Sequence, residues 1–147
     1  MALVLTTLAD TARAAAALAA VLRPGDVVAL SGDLGAGKSS LARALLHALG
    51  WADDVPSPTF TLVQPYGPPE LPFEVWHVDL YRLDTPEEAE ALGLFETDAA
   101  LLIEWPERLG ARLPANALRL RLEGQGDQPR RLTWTRPKAW EGRWPPQ

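Results

Sequence analysis

The sequence has no cysteine, one methionine and only two lysines, Lys38 and Lys138. Without cysteine there is no disulfide framework and no thiolate metal site, and a reducing compartment is allowed. The alanine-rich run over residues 14–22 falls short of the ~20 apolar residues a transmembrane helix needs, and no basic region precedes an apolar core at the start of the chain. The expectation is therefore a cytoplasmic protein with no membrane partner. Positive charge is in deficit as well: a net charge of −5 and a pI near 5.0 argue against general coating of nucleic acid. The sequence N-K-x-D, which would read guanine, is absent. What is present suits one globular domain: 147 residues, 47% hydrophobic and 22% charged. We assign residues 1–136 to that domain and residues 137–147 to a C-terminal tail.

The strongest positive signal is Gly32-Asp33-Leu34-Gly35-Ala36-Gly37-Lys38-Ser39, which matches the phosphate-binding pattern G-x-x-x-x-G-K-[ST] at every fixed position. Glycines let the backbone wrap so that successive N–H groups, from Leu34 through Ser39, turn toward phosphate oxygens, and the following helix adds the positive end of its dipole. Lys38 would reach the β and γ phosphates. The Ser39 hydroxyl would meet a Mg²⁺ ion. Context supports the motif: Val27-Val28-Ala29-Leu30 reads as a strand buried on both faces, and Leu41, Ala44, Leu45, Ala48 and Leu49 recur at helical spacing before Gly50.

Around that unit the chain reads as a short strand at residues 2–5, a helix begun by the T-x-x-D signal of Thr7 and Asp10 and running to about Leu22, and a turn at residues 23–26. Residues 59–63 and 73–79 read as strands. Thr85, Pro86 and Glu88 form a capping box for a further helix, Leu101-Leu102-Ile103 is a short apolar strand, and residues 118–123 and 131–135 pair as a hairpin. The order predicts an α/β fold of the P-loop NTPase type: a mixed, mostly parallel sheet flanked by helices, with an antiparallel C-terminal hairpin. Ligands of such sheets sit beyond the carboxyl ends of the parallel strands.

Strand-terminal acids are therefore the candidates for catalysis and metal binding. Glu104 ends the run 101–103 as a Walker-B acid would, and Asp79 ends the strand that holds Val75, Trp76 and Val78. Either acid serves equally well as a turn cap or as a partner for Arg82. Thr59, in Ser57-Pro58-Thr59, is a candidate switch residue facing the γ-phosphate or Mg²⁺, or a strand-start hydroxyl in a proline turn. His77 reads as a satisfied strand histidine or as a base. A small-molecule or nucleoside kinase of the P-loop type is the rival reading, but no arginine-rich insertion follows Pro86 to close over an acceptor.

Four blocks in order, the phosphate loop, Ser57-Pro58-Thr59-Phe60-Thr61-Leu62-Val63, His77-Val78-Asp79-Leu80-Tyr81-Arg82-Leu83 and Ile103-Glu104-Trp105-Pro106-Glu107-Arg108, resemble the successive motifs of the TsaE (YjeE) family. These are ATPases of bacterial tRNA threonylcarbamoyladenosine formation. The resemblance implies ATP and Mg²⁺ as cofactors and an ATPase needed for the threonylcarbamoyl group on adenosine 37 of tRNAs reading ANN codons. It implies the TsaD and TsaB proteins as partners, with ATP hydrolysis cycling their complex and tRNA met only through it. Matched motif to motif, Lys38 and Ser39 are the phosphate and metal residues, Glu104 is the second metal-side acid, and Asp79 and Thr59 fall near the γ-phosphate. Ser39 departs from the family's usual threonine but keeps the hydroxyl.

Outside those blocks the resemblance extends to the nucleoside end, where it suggests Thr11 and Arg130. The tail differs again: Arg130, Arg131, Arg136, Lys138 and Arg143 face the single acid Glu141, with Trp134, Trp140 and Trp144 interleaved. That composition suits an RNA or acidic-protein surface; a hairpin strand followed by a tail laid on the domain is the favoured reading.

Overall fold

The computed structural model describes residues 2–58 and 62–146. Among the described residues, seven strands form one sheet in the order β1-β7-β6-β2-β5-β4-β3. In chain order the elements are β1 (Ala2–Leu5), α1 (Leu8–Ala19), β2 (Val27–Ser31), α2 (Lys38–Leu49), β3 (Val63–Tyr66), β4 (Val75–Asp79), α3 (Glu87–Ala91), β5 (Ala100–Glu104), β6 (Leu118–Glu123) and β7 (Arg130–Thr135). A kinked 3₁₀ segment, Pro106–Arg112, follows β5, and a 3₁₀ turn, Lys138–Trp140, follows β7. Among the described residues no helix is long and apolar enough to cross a membrane.

Strand β2 is the hub. It runs parallel to both β5 and β6, while β4 runs parallel to β5. The other three pairings, β1–β7, β6–β7 and β3–β4, are antiparallel. This corrects the expectation of a mostly parallel sheet: the pairings divide evenly, because both edges are closed by antiparallel strands. The mixed α/β architecture and the antiparallel C-terminal hairpin are as read from the sequence.

Each central strand buries both faces, which explains its unbroken apolar runs. Val28 and Leu30 point to the face covered by α1 and α2, where Ala14, Ala15, Leu18, Leu41, Ala42, Leu45 and Leu46 pack. Val27 and Ala29 point to the other face, against Leu83, Ala89, Leu94 and Leu109. Each fully buried Leu or Val contributes about 1.5–3 kcal/mol relative to exposure, so the position of β2 is strongly over-determined.

Local signals fared unequally. The Thr7–Asp10 capping box is present in full, and it fixes the start of α1. Helix α1 ends at Ala19 rather than near Leu22, because its last turn tightens at Val21, whose N–H bonds Leu18 O, just before Arg23-Pro24. The box expected at Thr85 does not form. Pro86 caps α3 with no side-chain bond, and Thr85 contributes its carbonyl, which accepts the Glu88 N–H at 3.2 Å. Of the strand expected over residues 59–63, residues 59–61 lie outside the described residues, Leu62 is a bend, and Val63 opens β3, which continues through Pro65, as an edge strand tolerates. Thr59 lies outside the described residues.

The tail packs onto the domain. Trp140 and Trp144 are each 1% exposed in the α1–α2 core, Trp144 meets Trp134 edge-on at 5.6 Å, and neither buried ring is available for base stacking.

Candidate functional site

The loop between β2 and α2 is shaped by close approach. Gly32 has φ +146°, and a Cβ there would stand 2.5 Å from the Leu122 carbonyl of β6. Gly35 and Gly37 lie at φ +82° and +104°, the region glycine enters without strain, and Gly37 caps α2 without a side chain. Leu34 is exposed at the tip, whereas Ala36 is buried beneath the turn.

Lys38 begins α2 and is 5% exposed. Its Nζ donates to Gly32 O and, at 3.2 Å, to Asp33 O, and it lies 4.0 Å from the centroid of the Trp105 ring. No described carboxylate forms an ion pair with it within 4.0 Å. Burial pulls its pKa below the ordinary lysine range, opposed by the more distant charges of Glu104, Glu107, Asp79 and Asp33. A buried ammonium satisfied only by carbonyls and an aromatic face is a charge arranged for an anion.

The carboxyl ends of β4 and β5 stand beside it. Asp79 and Glu104 are register partners, 5% and 2% exposed. Ser39 Oγ donates to Glu104 at 3.1 Å (Oε1) and 3.3 Å (Oε2), and His77 Nε2 lies 2.6 Å from Oε2. Asp79 Oδ1 accepts from the Tyr81 N–H at 2.9 Å. Trp105 follows Glu104 at φ +61°, a left-handed turn that swings its ring over Lys38 and against Tyr81, 4.9 Å away. Leu34, Gly35, Gly37, Lys38, Ser39, Asp79, Glu104 and Trp105 share one cavity of about 300 Å³ with Arg43.

A second cavity of about 360 Å³ lies across the same loop. Gly35, Ala36 and Gly37 form its wall, and Thr11 and Arg130 line it together. Arg130 comes from β7 and donates to Gly35 O at 3.3 Å. The candidate residues thus fall into two groups that meet at the loop: Lys38, Ser39, Asp79 and Glu104 on one side, Thr11 and Arg130 on the other. Sequence reasoning left Trp105 without a role and His77 undecided. The adjacency of Trp105 to a strand-end acid was the available signal.

The donor chemistry fits ATP with Mg²⁺. Gly35 and Gly37 hold the loop at positive φ with open space beside them, Lys38 offers a cation with no described carboxylate in ion-pair range, and Ser39 with Glu104 offers the hard oxygens Mg²⁺ prefers. Among the described residues no cluster of three or more His, Cys, Asp or Glu side chains could hold a metal, so such an ion would take its other ligands from phosphate and water.

Fold and site together define a mixed α/β protein whose glycine loop, at a helix N-terminus, faces two strand-end acids. Comparison with known proteins makes this specific. Residues 5–132 match a family model described as threonylcarbamoyl adenosine biosynthesis protein TsaE, and the chain belongs to the TsaE family. It is 37% identical over 129 residues to the tRNA threonylcarbamoyladenosine biosynthesis protein TsaE of Bacillus subtilis, covering 86% of this chain and 79% of that one. The protein of the same name in Rickettsia bellii is 40% identical over 124 residues, covering 82% and 85%. A crystal structure of Bacillus subtilis YdiB superposes with a TM-score of 0.74 at 28% identity, covering 92% of this chain and 84% of that one.

Proposed function

We propose that this protein is the ATP-hydrolysing member of the machinery that forms threonylcarbamoyladenosine on tRNA, built on a P-loop NTPase fold and working in the cytoplasm. Membership of the TsaE family carries the assignment to tRNA threonylcarbamoyladenosine biosynthesis. The observation that carries the ATPase reading is Lys38, a buried ammonium with no described carboxylate in ion-pair range, set beside the Ser39–Glu104 pair. Residues 1–136 form its single domain, and residues 137–147 are a tail held against it.

In this reading Lys38 leaves Gly32 O and Asp33 O to bind the β and γ phosphates, while the loop from Leu34 to Ser39 directs its N–H groups at their oxygens. Thr11 and Arg130 hold the nucleoside end in the second cavity. Ser39 and Glu104 would hold Mg²⁺, which when bound would supply neutralisation of phosphate charge. Asp79, fixed by the Tyr81 N–H, orients the attacking water, and Thr59 completes the γ-phosphate side. Trp105 covers Lys38 and excludes bulk water, which strengthens every charge interaction beneath it.

ATP turnover would serve as a switch on the TsaD–TsaB complex, with tRNA met only through that complex. Hydrolysis measured with and without the TsaD–TsaB pair tests this: turnover should rise on adding the pair. Transfer of the γ-phosphate to a nucleoside or sugar, in place of water, would establish the kinase reading instead.

A further inference from the structure

His77 is 1% exposed, sits in the middle of β4, and directs one ring nitrogen at Glu104. Strand alternation explains how. Val75 faces the core beneath α1 and α2, so His77 and Asp79, two and four residues on, share that face. On β5, Leu102 and Glu104 share it as well, and α2, which covers it, carries Ser39. The imidazole therefore lies one pleat below the strand ends, directly under the Glu104 carboxylate.

The other ring nitrogen, Nδ1, is buried and has no hydrogen-bond partner among the described residues. A histidine used only to fill the core would do so at a cost an apolar side chain avoids. A catalytic base would need access to the cavity, and His77 is not among the residues lining it. Among the described residues the polar contact of its ring is the 2.6 Å approach to Glu104 Oε2, whose Oε1 accepts from Ser39.

We propose that His77 is the positioning residue of this site: its Nε2–H donates to Glu104 Oε2 and fixes the rotamer in which the carboxylate meets Ser39. The role rests on the reading of Glu104 as the acid of an ATP site. Neighbouring donors of this kind orient a ligating carboxylate, and their loss typically costs about 10–100-fold in activity. Among the described residues no hydrogen bond joins His77 to Lys38 or the glycine loop, so its loss should leave the binding of phosphate intact.

The test is a double-mutant cycle on ATP hydrolysis, measured in single turnover with protein in excess, alongside KM for ATP and a thermal melt of each variant. His77→Leu and His77→Asn, whose shorter amide does not reach Glu104, should each lower turnover about 10–100-fold and shift KM for ATP by no more than about twofold. His77→Gln, which restores a donor near the Nε2 position, should recover most of the loss. In a Glu104→Gln background, His77→Asn should change turnover by less than about twofold, because the two residues act as one unit.

A loss expressed mainly in KM, equal losses in the Asn and Gln variants, or an undiminished effect of His77→Asn in the Glu104→Gln background would overturn the positioning role while leaving the ATP site standing. Unchanged hydrolysis in Glu104→Gln alone would instead remove the reading of Glu104 as the acid of the site, and this role with it. Should the Leu variant fail to fold, the Asn and Gln pair decides the matter by itself.

Discussion

Strand β2 carries a buried charge cluster at each end, and the two are built on opposite principles. At its amino end Asp26 is paired with Arg143 of the tail, which also donates to Val21 O at 2.7 Å and Ala139 O at 3.1 Å and lies 4.1 Å from the Trp140 ring centroid. Asp26 accepts the Arg23 N–H at 2.7 Å as well. The cluster closes on its own chain: both terminal nitrogens of the guanidinium reach carboxylate or carbonyl oxygens, while Nε finds no hydrogen-bond partner among the described residues. At the carboxyl end Lys38 has carbonyls and an aromatic face but no described carboxylate partner, and the acids beside it open onto a cavity of about 300 Å³. A buried charge neutralised inside the chain holds the fold together. One left for an external counter-charge defines a site.

If that contrast is right, changes at the two ends separate cleanly. The largest effect is expected from Glu104→Ala, which should cut turnover by about 10²–10³-fold and leave nucleotide affinity within a few-fold by calorimetry. Normal turnover in that variant would transfer the role to Asp79. At the other end, Arg143→Leu leaves Asp26 buried without its cation and should cost about 3–5 kcal/mol in urea unfolding, with unchanged hydrolysis per folded molecule. A turnover defect there would show that the tail reaches the site.

A subtler contrast concerns pH. Burial lowers the Lys38 pKa in the folded state, so between that value and the ordinary 10.5 the unfolded chain binds more protons. Stability of the wild type should therefore rise with pH across that window. Lys38→Met lacks this gain. Its unfolding free energy should exceed the wild-type value most at neutral pH, with the gap narrowing as pH approaches the upper end, as followed by urea titration at several pH values. The smallest effects belong to the start of α1. Thr7→Ala should cost about 1 kcal/mol through the lost cap. Asp10→Asn should destabilise fully above the ordinary carboxyl value of 3.8 and progressively less as pH falls below it, since backbone bonds from Thr6 and Thr7 and the charge of Arg13 lower the Asp10 pKa in the folded state. Thermal melts at pH 7 and pH 3 distinguish the two.

The two ends also differed in how far the sequence betrayed them. The loop end was readable because each of its demands falls on a residue type: glycine where a Cβ would strike Leu122 O, a strand apolar on both faces, and acids at strand ends. What no local pattern carried was the register that sets Asp79 beside Glu104, which depends on residues 25 positions apart pairing across β4 and β5. Thr11 and Arg130 came from family resemblance rather than physical chemistry, and they line a common cavity. At the tail end, composition carried less. Interleaved arginine and tryptophan suit an RNA surface or packing; packing, the favoured reading, is what the buried Trp140 and Trp144 show, but its charge partner, Asp26, lies 117 residues from Arg143. Similarly, Thr85 offered a cap whose side-chain bond does not form, at the start of a helix of only 5 residues.

The central claim is that Lys38 is a buried cation waiting for the phosphates of ATP. Isothermal titration of a non-hydrolysable ATP analogue with Mg²⁺ into the wild type and into Lys38→Ala tests it most directly. The account predicts saturable one-to-one binding by the wild type, weakened at least about tenfold, or about 1.4 kcal/mol, in the variant. Equal affinity in the two proteins would contradict it.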